Sequence, residues 1–276
     1  MPQIFLHHRR TVFICILASM GCVASGFAAD EKPLIVGILN QQTAAKTAER
    51  WNPILKYLTD ATGIPMAFKM GQTVQDTNAM MARGEFDLVF TNHNFRSEFD
   101  GIYKPIARWS EKPIYGVIAV LAESPARTLH DLSGRKVVFP SRTAFVGYAV
   151  PMAALKQAKV PIEPIFAAHQ EGALAQLKAR QVDAAAVNSR FLTQYAAQSG
   201  LKYREVFISE GYADLPVSIH PRVPATTADE LRNALLNMRT DPKALPALAA
   251  GSFTGFHPAM DRDYDNARKI YKQLGE

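Results

Sequence analysis

The residues best suited to chemistry follow a short apolar run, Lys136–Phe139, that predicts a buried strand. Ser141, Thr143 and Gly147 come next and lead into a predicted helix, so backbone N–H groups should be free at its start. These amides and the positive end of the helix dipole together favour an anion. Residues 140–148 are therefore predicted to bind an anion. The alternative is an ordinary capped helix whose amides meet only water.

Three further loops, 40–47, 91–95 and 188–191, also follow predicted strands. They matter because ligands of an open parallel sheet bind beyond the carboxyl ends of its strands. His93 and His169 lie near predicted strand ends or lobe-facing loops and are candidates to hydrogen-bond a ligand, whereas His220 and His257 fit structural or surface roles. The predicted ligand-binding set is Asn40, Thr91, Asn92, His93, Ser141, Thr143, Ala144, Phe145, Val146, Gly147, Tyr148, His169, Asn188 and Arg190.

The sequence lacks the common motifs of catalysis and nucleotide binding. It has no G-x-S-x-G elbow, no G-x-G-x-x-G and no phosphate-binding P-loop motif. Among His93, His169, His220 and His257 no two stand at the i, i+4 spacing of a helical metal pair. We therefore expect no catalytic residue, no metal and no cofactor, and a secreted enzyme is the least favoured class.

Composition narrows the class of protein further. The 276 residues are 48% hydrophobic and 20% charged, with 16 Gly, 17 Pro, two Cys and a mean hydropathy of −0.07. These values exclude a polytopic membrane protein, a collagen, a disordered chain and a disulfide-stapled mini-domain. The formal net charge of +6 is spread without a Lys/Arg block, so no nucleic-acid partner is expected.

The first thirty residues predict export. A basic start, residues 7–10, precedes apolar residues 11–23 and small residues 24–29, which is the layout of a secretory signal peptide. The apolar run is shorter than the roughly 20 residues that span a bilayer. A permanent anchor and a lipoprotein acylated at Cys22 are the alternatives. Cleavage after Ala28 would leave 248 of the 276 residues, without a cysteine, in the periplasm.

Apolar periodicity predicts alternating strands and helices. The first half predicts three strands, over 34–39, 66–70 and 86–90. A helix between the first two runs from Ala48 to Gly63, with Pro53 in its first turns. A second helix runs from a capping box at Thr73 to Gly84. The second half predicts a strand over 136–139, a helix toward Lys156, a helix over 173–180 and a strand over 182–187. A helix opened by a capping box at Thr227 and a last helix over 264–274 end the chain. This order predicts parallel sheets with right-handed crossovers.

The two halves also share a local pattern. Ala82-Arg83 closes a predicted helix, Asp87 opens a strand and Asn92 follows five residues later; Ala179-Arg180, Asp183 and Asn188 repeat that order. Chance similarity is the alternative for so short a string. Its occurrence at matched points of two α/β patterns favours two similar lobes.

Five segments carry a resemblance to a known family: RWNPILKYL (50–58), FDLVF (86–90), LHDLSGRKVVF (129–139), TAFVGYAVP (143–151) and QVDAAAVN (181–188). In these segments the chain resembles the phosphate/phosphite/phosphonate-binding (PhnD-like) solute-binding proteins of ABC transporters. The resemblance implies an α/β, bilobal type II periplasmic-binding-protein fold with two parallel-core sheets, flanking helices and a hinge of two crossovers. The expected divisions are a signal peptide over 1–28, the first lobe over 29–118, the second lobe over 119–220 and a return to the first lobe over 221–276.

The resemblance also implies a function. Such a protein is the periplasmic solute-binding component of an ABC importer: it captures a small phosphonate-like, phosphate-like or other oxyanion between two lobes and presents it to the membrane permease. A periplasmic ligand sensor for a membrane histidine kinase is the alternative. A monomer without cofactor is expected.

The resemblance further implies where the solute lies. Family members hold the oxyanion at the helix start that matches 144–147, assisted by a histidine near His169 or Gln170. The family's Ser-Thr-Ser run is Ala144-Phe145-Val146 here, so backbone amides, Ser141 and Thr143 would have to replace the missing hydroxyl donors.

The last expectation concerns the charge of the solute. Family members that bind aminophosphonates place acidic residues on the second lobe, and those positions match Arg190 and Leu215, with Asp214 next to the second. An arginine there would offer a forked donor to an anion. We therefore expect a solute without an amino group, held by Arg190, Thr143, Asn92 and the amides of 145–148. The alternative is a solvent-exposed arginine at a helix start.

Overall fold

The computed structural model describes residues 1, 32–38, 43–91, 93 and 95–276. The predicted export segment, Asn40 and Asn92 lie outside the described residues. From Lys32 to Glu276 the chain forms two sheets with helices on their faces. In the described part of the chain, no helix combines the length and the apolar character required to cross a membrane.

Six strands form the first sheet: β1 (Leu34–Ile38), β2 (Met66–Lys69), β3 (Leu88–Phe90), β4 (Lys104–Arg108), β10 (Pro216–Ile219) and β11 (His257–Pro258). Strands β2, β1 and β3 are parallel neighbours, and β10 lies antiparallel between β3 and β4. Strand β4 therefore runs parallel to β3, and the carboxyl ends of β1, β3 and β4 share one edge of the sheet.

Five strands form the second sheet: β5 (Gly116–Leu121), β6 (Lys136–Phe139), β7 (Glu163–Phe166), β8 (Ala184–Asn188) and β9 (Tyr203–Ile208). Strands β7, β6 and β8 are parallel, and β5 pairs antiparallel with both β8 and β9. The predicted parallel-core sheets are confirmed, and each of them also carries antiparallel strands.

Eight α-helices cover the sheets in the described residues: α1 (Ala44–Thr62), α2 (Val74–Ala82), α3 (Val150–Gln157), α4 (Gln170–Lys178), α5 (Ser189–Ser199), α6 (Ala225–Asn237), α7 (Leu245–Gly251) and α8 (Asp265–Leu274). Trp51, Leu231 and Leu248 bring α1, α6 and α7 into the core of the first sheet. Helix α8 instead packs through Tyr271 on Phe145 and Val150, at the start of α3.

Local signals set some helix ends and not others. The capping box at Thr73 is confirmed, since Asp76 N donates to Thr73 Oγ1 (3.1 Å) and Thr73 N donates to Asp76 Oδ2 (3.0 Å). Helix α1 begins four residues before the predicted Ala48, so the prediction that Pro53 lies in the first turns is wrong: it sits inside the helix. The predicted capping box at Thr227 is also wrong, because α6 already begins at Ala225, directly after Pro224.

The repeated pattern of the two halves has a common structural role. Asp87 Oδ2 accepts a hydrogen bond from Ile35 N (2.8 Å), and Asp183 Oδ2 accepts one from Lys136 N (2.9 Å). Each aspartate thus opens one parallel strand and ties it to the first residues of the neighbouring strand. The pattern reflects equivalent places in two similar α/β units.

Candidate functional site

The carboxyl edge of the second sheet gathers three helix starts. Strand β6 leads into a π-helical turn, Phe145–Ala149, and then α3; β7 leads into α4; and β8 runs directly into α5. Because β6, β7 and β8 are parallel, these helix starts lie at one edge of the sheet. Unpaired amides and helix dipoles there favour a negatively charged ligand.

The π-helical turn leaves its first amides outside the hydrogen bonds of the turn. Ala149 N donates to Ala144 O (3.0 Å), and the Val150 amide donates to Phe145 O. The amides of residues 145–148 precede the first of these bonds, so the turn itself offers them no acceptor. They are the backbone donors that the sequence predicted for an anion.

The side chains of this turn point into the protein rather than toward a solute. The Phe145 ring stacks on His93 (4.6 Å between centroids) and meets Tyr212 edge-on (4.9 Å). Tyr148 packs on Phe139. Gly116 passes so close that an added Cβ would lie 2.4 Å from Val146 O. Ala144, Phe145, Val146 and Gly147 carry no hydrogen-bonding side chain, so these residues can offer a solute only their backbone groups.

Two hydroxyl groups lie just before the turn. Ser141 Oγ and Thr143 Oγ1 are 3.1 Å apart in a half-buried loop. Between them the Arg142 guanidinium lies over the Phe166 ring (4.6 Å), and the Arg142 carbonyl accepts a hydrogen bond from Arg96 Nη2 (2.7 Å). Two contacts of Arg142, one through its side chain and one through its carbonyl, therefore hold this loop.

His169 and Asn188 cap helices at the same edge. His169 is exposed, and its Nδ1 accepts a hydrogen bond from Gly172 N (2.9 Å) at the start of α4. Asn188 Oδ1 accepts from Arg190 N (2.9 Å), and Asn188 N donates to Gln170 Oε1 (2.7 Å). These bonds hold the starts of α4 and α5 side by side.

Arg190 is anchored by an acid that sequence reasoning did not include in the site. Arg190 Nη2 donates to Asp214 Oδ2 (2.5 Å), and the side chains are 49% and 3% exposed. The other Asp214 oxygen, Oδ1, accepts from Leu215 N (2.8 Å). The buried carboxylate orients the guanidinium and leaves much of it open to solvent. The adjacency of Asp214 to Leu215 was the only sequence signal for this pair.

The first-sheet candidates are buried. Thr91 is 4% exposed and contacts Met81 Sδ (3.8 Å). His93 is 1% exposed, its Nε2–H donates to Ala213 O (2.6 Å), and its carbonyl accepts from the Tyr271 hydroxyl (2.6 Å). Burial lowers the pKa of His93 from its ordinary value, so the ring is neutral at pH 7. These contacts make His93 a support for Phe145.

A pH dependence of stability follows from His93. Its pKa is about 6.5 unfolded and lower when folded, so the unfolded state binds more protons as the pH falls. We expect the free energy of unfolding to be fully retained above about pH 6.5 and to drop below it by up to about 1.4 kcal/mol per pH unit. His220 and His257, whose pKa values burial also lowers, act in the same direction.

Urea unfolding at pH 5 and pH 7.5 measures this effect. His93→Gln keeps a donor for Ala213 O and should reduce the loss of stability at pH 5, whereas the exposed His130→Gln should leave it unchanged. An unaltered pH dependence in His93→Gln would contradict the assignment.

The described residues hold no group of three or more His, Cys, Asp or Glu side chains arranged to bind a metal ion. What the second-sheet edge offers is a set of hydrogen-bond donors: backbone amides, two hydroxyls and one oriented guanidinium. Such a set of donors suits an anion.

Comparison with known proteins identifies similar solved structures and a matching family. Three similar solved structures cover 88% of this chain. XAC2383 from Xanthomonas citri bound to ATP is 18% identical, with 96% of that chain covered and a TM-score of 0.74. PhnD1 from Prochlorococcus marinus in complex with methylphosphonate is 18% identical, with 98% covered and a TM-score of 0.72. The periplasmic aliphatic sulphonate-binding protein SsuA from Escherichia coli is 16% identical, with 86% covered and a TM-score of 0.57.

These likenesses show the fold, a bilobal type II periplasmic-binding-protein fold, as the resemblance implied. The search of curated protein sequences finds no match. Residues 36–264 match the family described as the phosphonate periplasmic substrate-binding protein of ABC transporters. That match covers the second sheet, all but the first two residues of the first sheet, and the starts of α3, α4 and α5. This chain therefore belongs to the family of periplasmic phosphonate substrate-binding proteins of ABC transporters.

Proposed function

We propose that this protein captures a small oxyanion without an amino group in the cleft between its lobes and delivers it to the permease of an ABC importer. The observation that carries the proposal is the meeting of three helix starts and Arg190 at one edge of the second sheet. A ligand that touches both lobes stabilises their closed arrangement, and a permease can recognise that arrangement.

The amides of 145–148, the hydroxyls of Ser141 and Thr143, and Arg190 would hold the oxyanion on the second lobe. Asn40 and Asn92 would contact it from the first lobe. Thr91 and His93 support the site from the core, since both are buried. Arg190 disfavours an aminated solute, because its guanidinium already pairs with the Asp214 carboxylate that an ammonium group would need.

The proposal includes the divisions expected from the sequence: an export signal over 1–28, the first lobe over 29–118, the second over 119–220 and the return over 221–276. Support for the second lobe comes from its sheet, whose strands fall between Gly116 and Ile208. Strand β10, at the end of the range 119–220, pairs instead in the first sheet. The family is periplasmic, which supports cleavage of the export signal after Ala28. N-terminal sequencing of the exported protein tests this cleavage. Light scattering tests the expected monomer.

Titration calorimetry tests the function after unfolding and refolding have removed any carried-over solute. Methylphosphonate, inorganic phosphate and methanesulfonate are the probes, and at least one should bind. Ser141→Ala with Thr143→Ala should weaken that binding by about tenfold, because each lost hydrogen bond contributes roughly 0.5–1.5 kcal/mol. Ser133→Ala, an exposed change elsewhere on the second lobe, is the control. Failure of every oxyanion to bind would refute the proposal. A released solute identified by mass spectrometry would name the ligand directly.

A further inference from the structure

An arginine of the proposed first lobe lies between two aromatic rings, and no described carboxylate pairs with it. The guanidinium carbon of Arg50, on α1, is 4.7 Å from the Phe253 ring centroid and 5.5 Å from that of Trp109. Its Nε donates to Gly251 O (2.6 Å). No carboxylate of the described residues forms an ion pair with it. Residues 39–42, which lie outside the described residues, are Leu, Asn and two Gln.

Among the described residues, no acidic group compensates the charge of Arg50. The side chain is half-buried, and burial lowers its pKa. Other arginines of the first lobe meet acids, for example Arg222 at Asp87 and Arg268 at Asp100. The carbonyl at the end of α7 engages only one nitrogen of the Arg50 fork, and a carboxylate on the others would offset the cost of removing the charge from water.

The Trp109 ring beside Arg50 lies at the edge of the first sheet that open α/β sheets use for ligands. Trp109 directly follows β4 and contacts Phe90, the last residue of β3, at 6.2 Å between ring centroids. Both rings therefore lie at the carboxyl edge of the first sheet, beyond which open α/β sheets bind ligands.

A chain of hydrogen bonds links Trp109 to Arg190. Trp109 N donates to Leu215 O (3.0 Å), Leu215 N donates to Asp214 Oδ1 (2.8 Å), and Asp214 Oδ2 accepts from Arg190 (2.5 Å). Asp214 and Leu215, the two residues before β10, thus connect Trp109 beside Arg50 with Arg190.

We propose that Arg50 binds a second anionic group of the solute, a carboxylate, while its oxyanion head is held at the second-lobe helix starts. The solute class is then a small organic acid with an anionic group at each end, whose carbon chain lies against Trp109. The inference rests on the proposed function, because it assumes that the cleft takes an anion.

The test compares 3-phosphonopropionate with propylphosphonate, which lacks the carboxylate, by titration calorimetry. The wild type should bind the first about ten- to a hundredfold more tightly, as for one charge-assisted pair. Arg50→Gln keeps a donor for Gly251 O but loses the charge, so it should abolish this preference and leave the propylphosphonate Kd within about twofold. Arg239→Gln removes an exposed charge from the same lobe and should keep the preference.

Two results would overturn the inference alone: no preference for phosphonoacetate, 3-phosphonopropionate or 4-phosphonobutyrate over propylphosphonate in the wild type, or a preference that survives in Arg50→Gln. If Arg50→Gln does not fold, Arg50→Lys replaces it, because lysine keeps the charge without the fork. Arg50→Lys should retain part of the preference for 3-phosphonopropionate. An undiminished preference in that variant would count against a forked contact. Failure of the wild type to bind any oxyanion would overturn the proposed function as well.

Discussion

Replacing Phe145 by alanine should lower the free energy of unfolding by about 3–5 kcal/mol, the usual cost of removing a large buried aromatic side chain. The ring is 3% exposed and contacts His93, Tyr212 and Tyr271. These partners come from the loop after β3, the segment before β10 and helix α8, so the lost ring opens a cavity where three parts of the chain meet. Urea unfolding followed by circular dichroism measures the change.

Phe145→Leu is the matched control, because it keeps most of the apolar volume and should cost less than Phe145→Ala. An alanine variant within about 1 kcal/mol of the wild type would show that the surrounding rings collapse into the space, and the aromatic cluster would then not be needed to hold the helix start.

Arg190→Ala should weaken the binding of the best oxyanion probe by about ten- to a hundredfold, which corresponds to the roughly 1.5–3 kcal/mol of a hydrogen bond to a charged group. The variant removes the one guanidinium that Asp214 orients at the second-sheet edge. Titration calorimetry of wild type and variant with the same probe measures the change.

The controls separate charge from geometry. Arg190→Lys keeps the charge without the forked donor and should fall between the wild type and Arg190→Ala. Asp214→Asn should also weaken binding, because Arg190 loses its anchor. Unchanged affinity in Arg190→Ala, or tight binding of 2-aminoethylphosphonate by the wild type, would refute the assigned role of the pair.

Much of the architecture could be predicted from the sequence because it depends on local patterns. Apolar runs and helical spacing predicted the parallel strands, and the capping box at Thr73 predicted where α2 begins. The matched Asp87 and Asp183 predicted two similar units, since each must open a strand in the same way. Helix starts without a strong local signal were predicted less well: α1 and α6 both begin before their expected residues, because turns of few buried residues show no clear apolar period.

The composition of the sequence by itself excluded several classes of protein, and its local patterns determined the α/β alternation and the helix start that follows Lys136–Phe139. Only the tertiary structure decided what surrounds that helix start. Phe145 stacks on His93, which lies 52 positions earlier in the chain. Arg190 finds Asp214 across 24 positions, and Arg50 reaches Gly251 across 201. The physical reason is that periodicity shows which face of an element is buried, whereas the partner of a side chain depends on how distant segments pack.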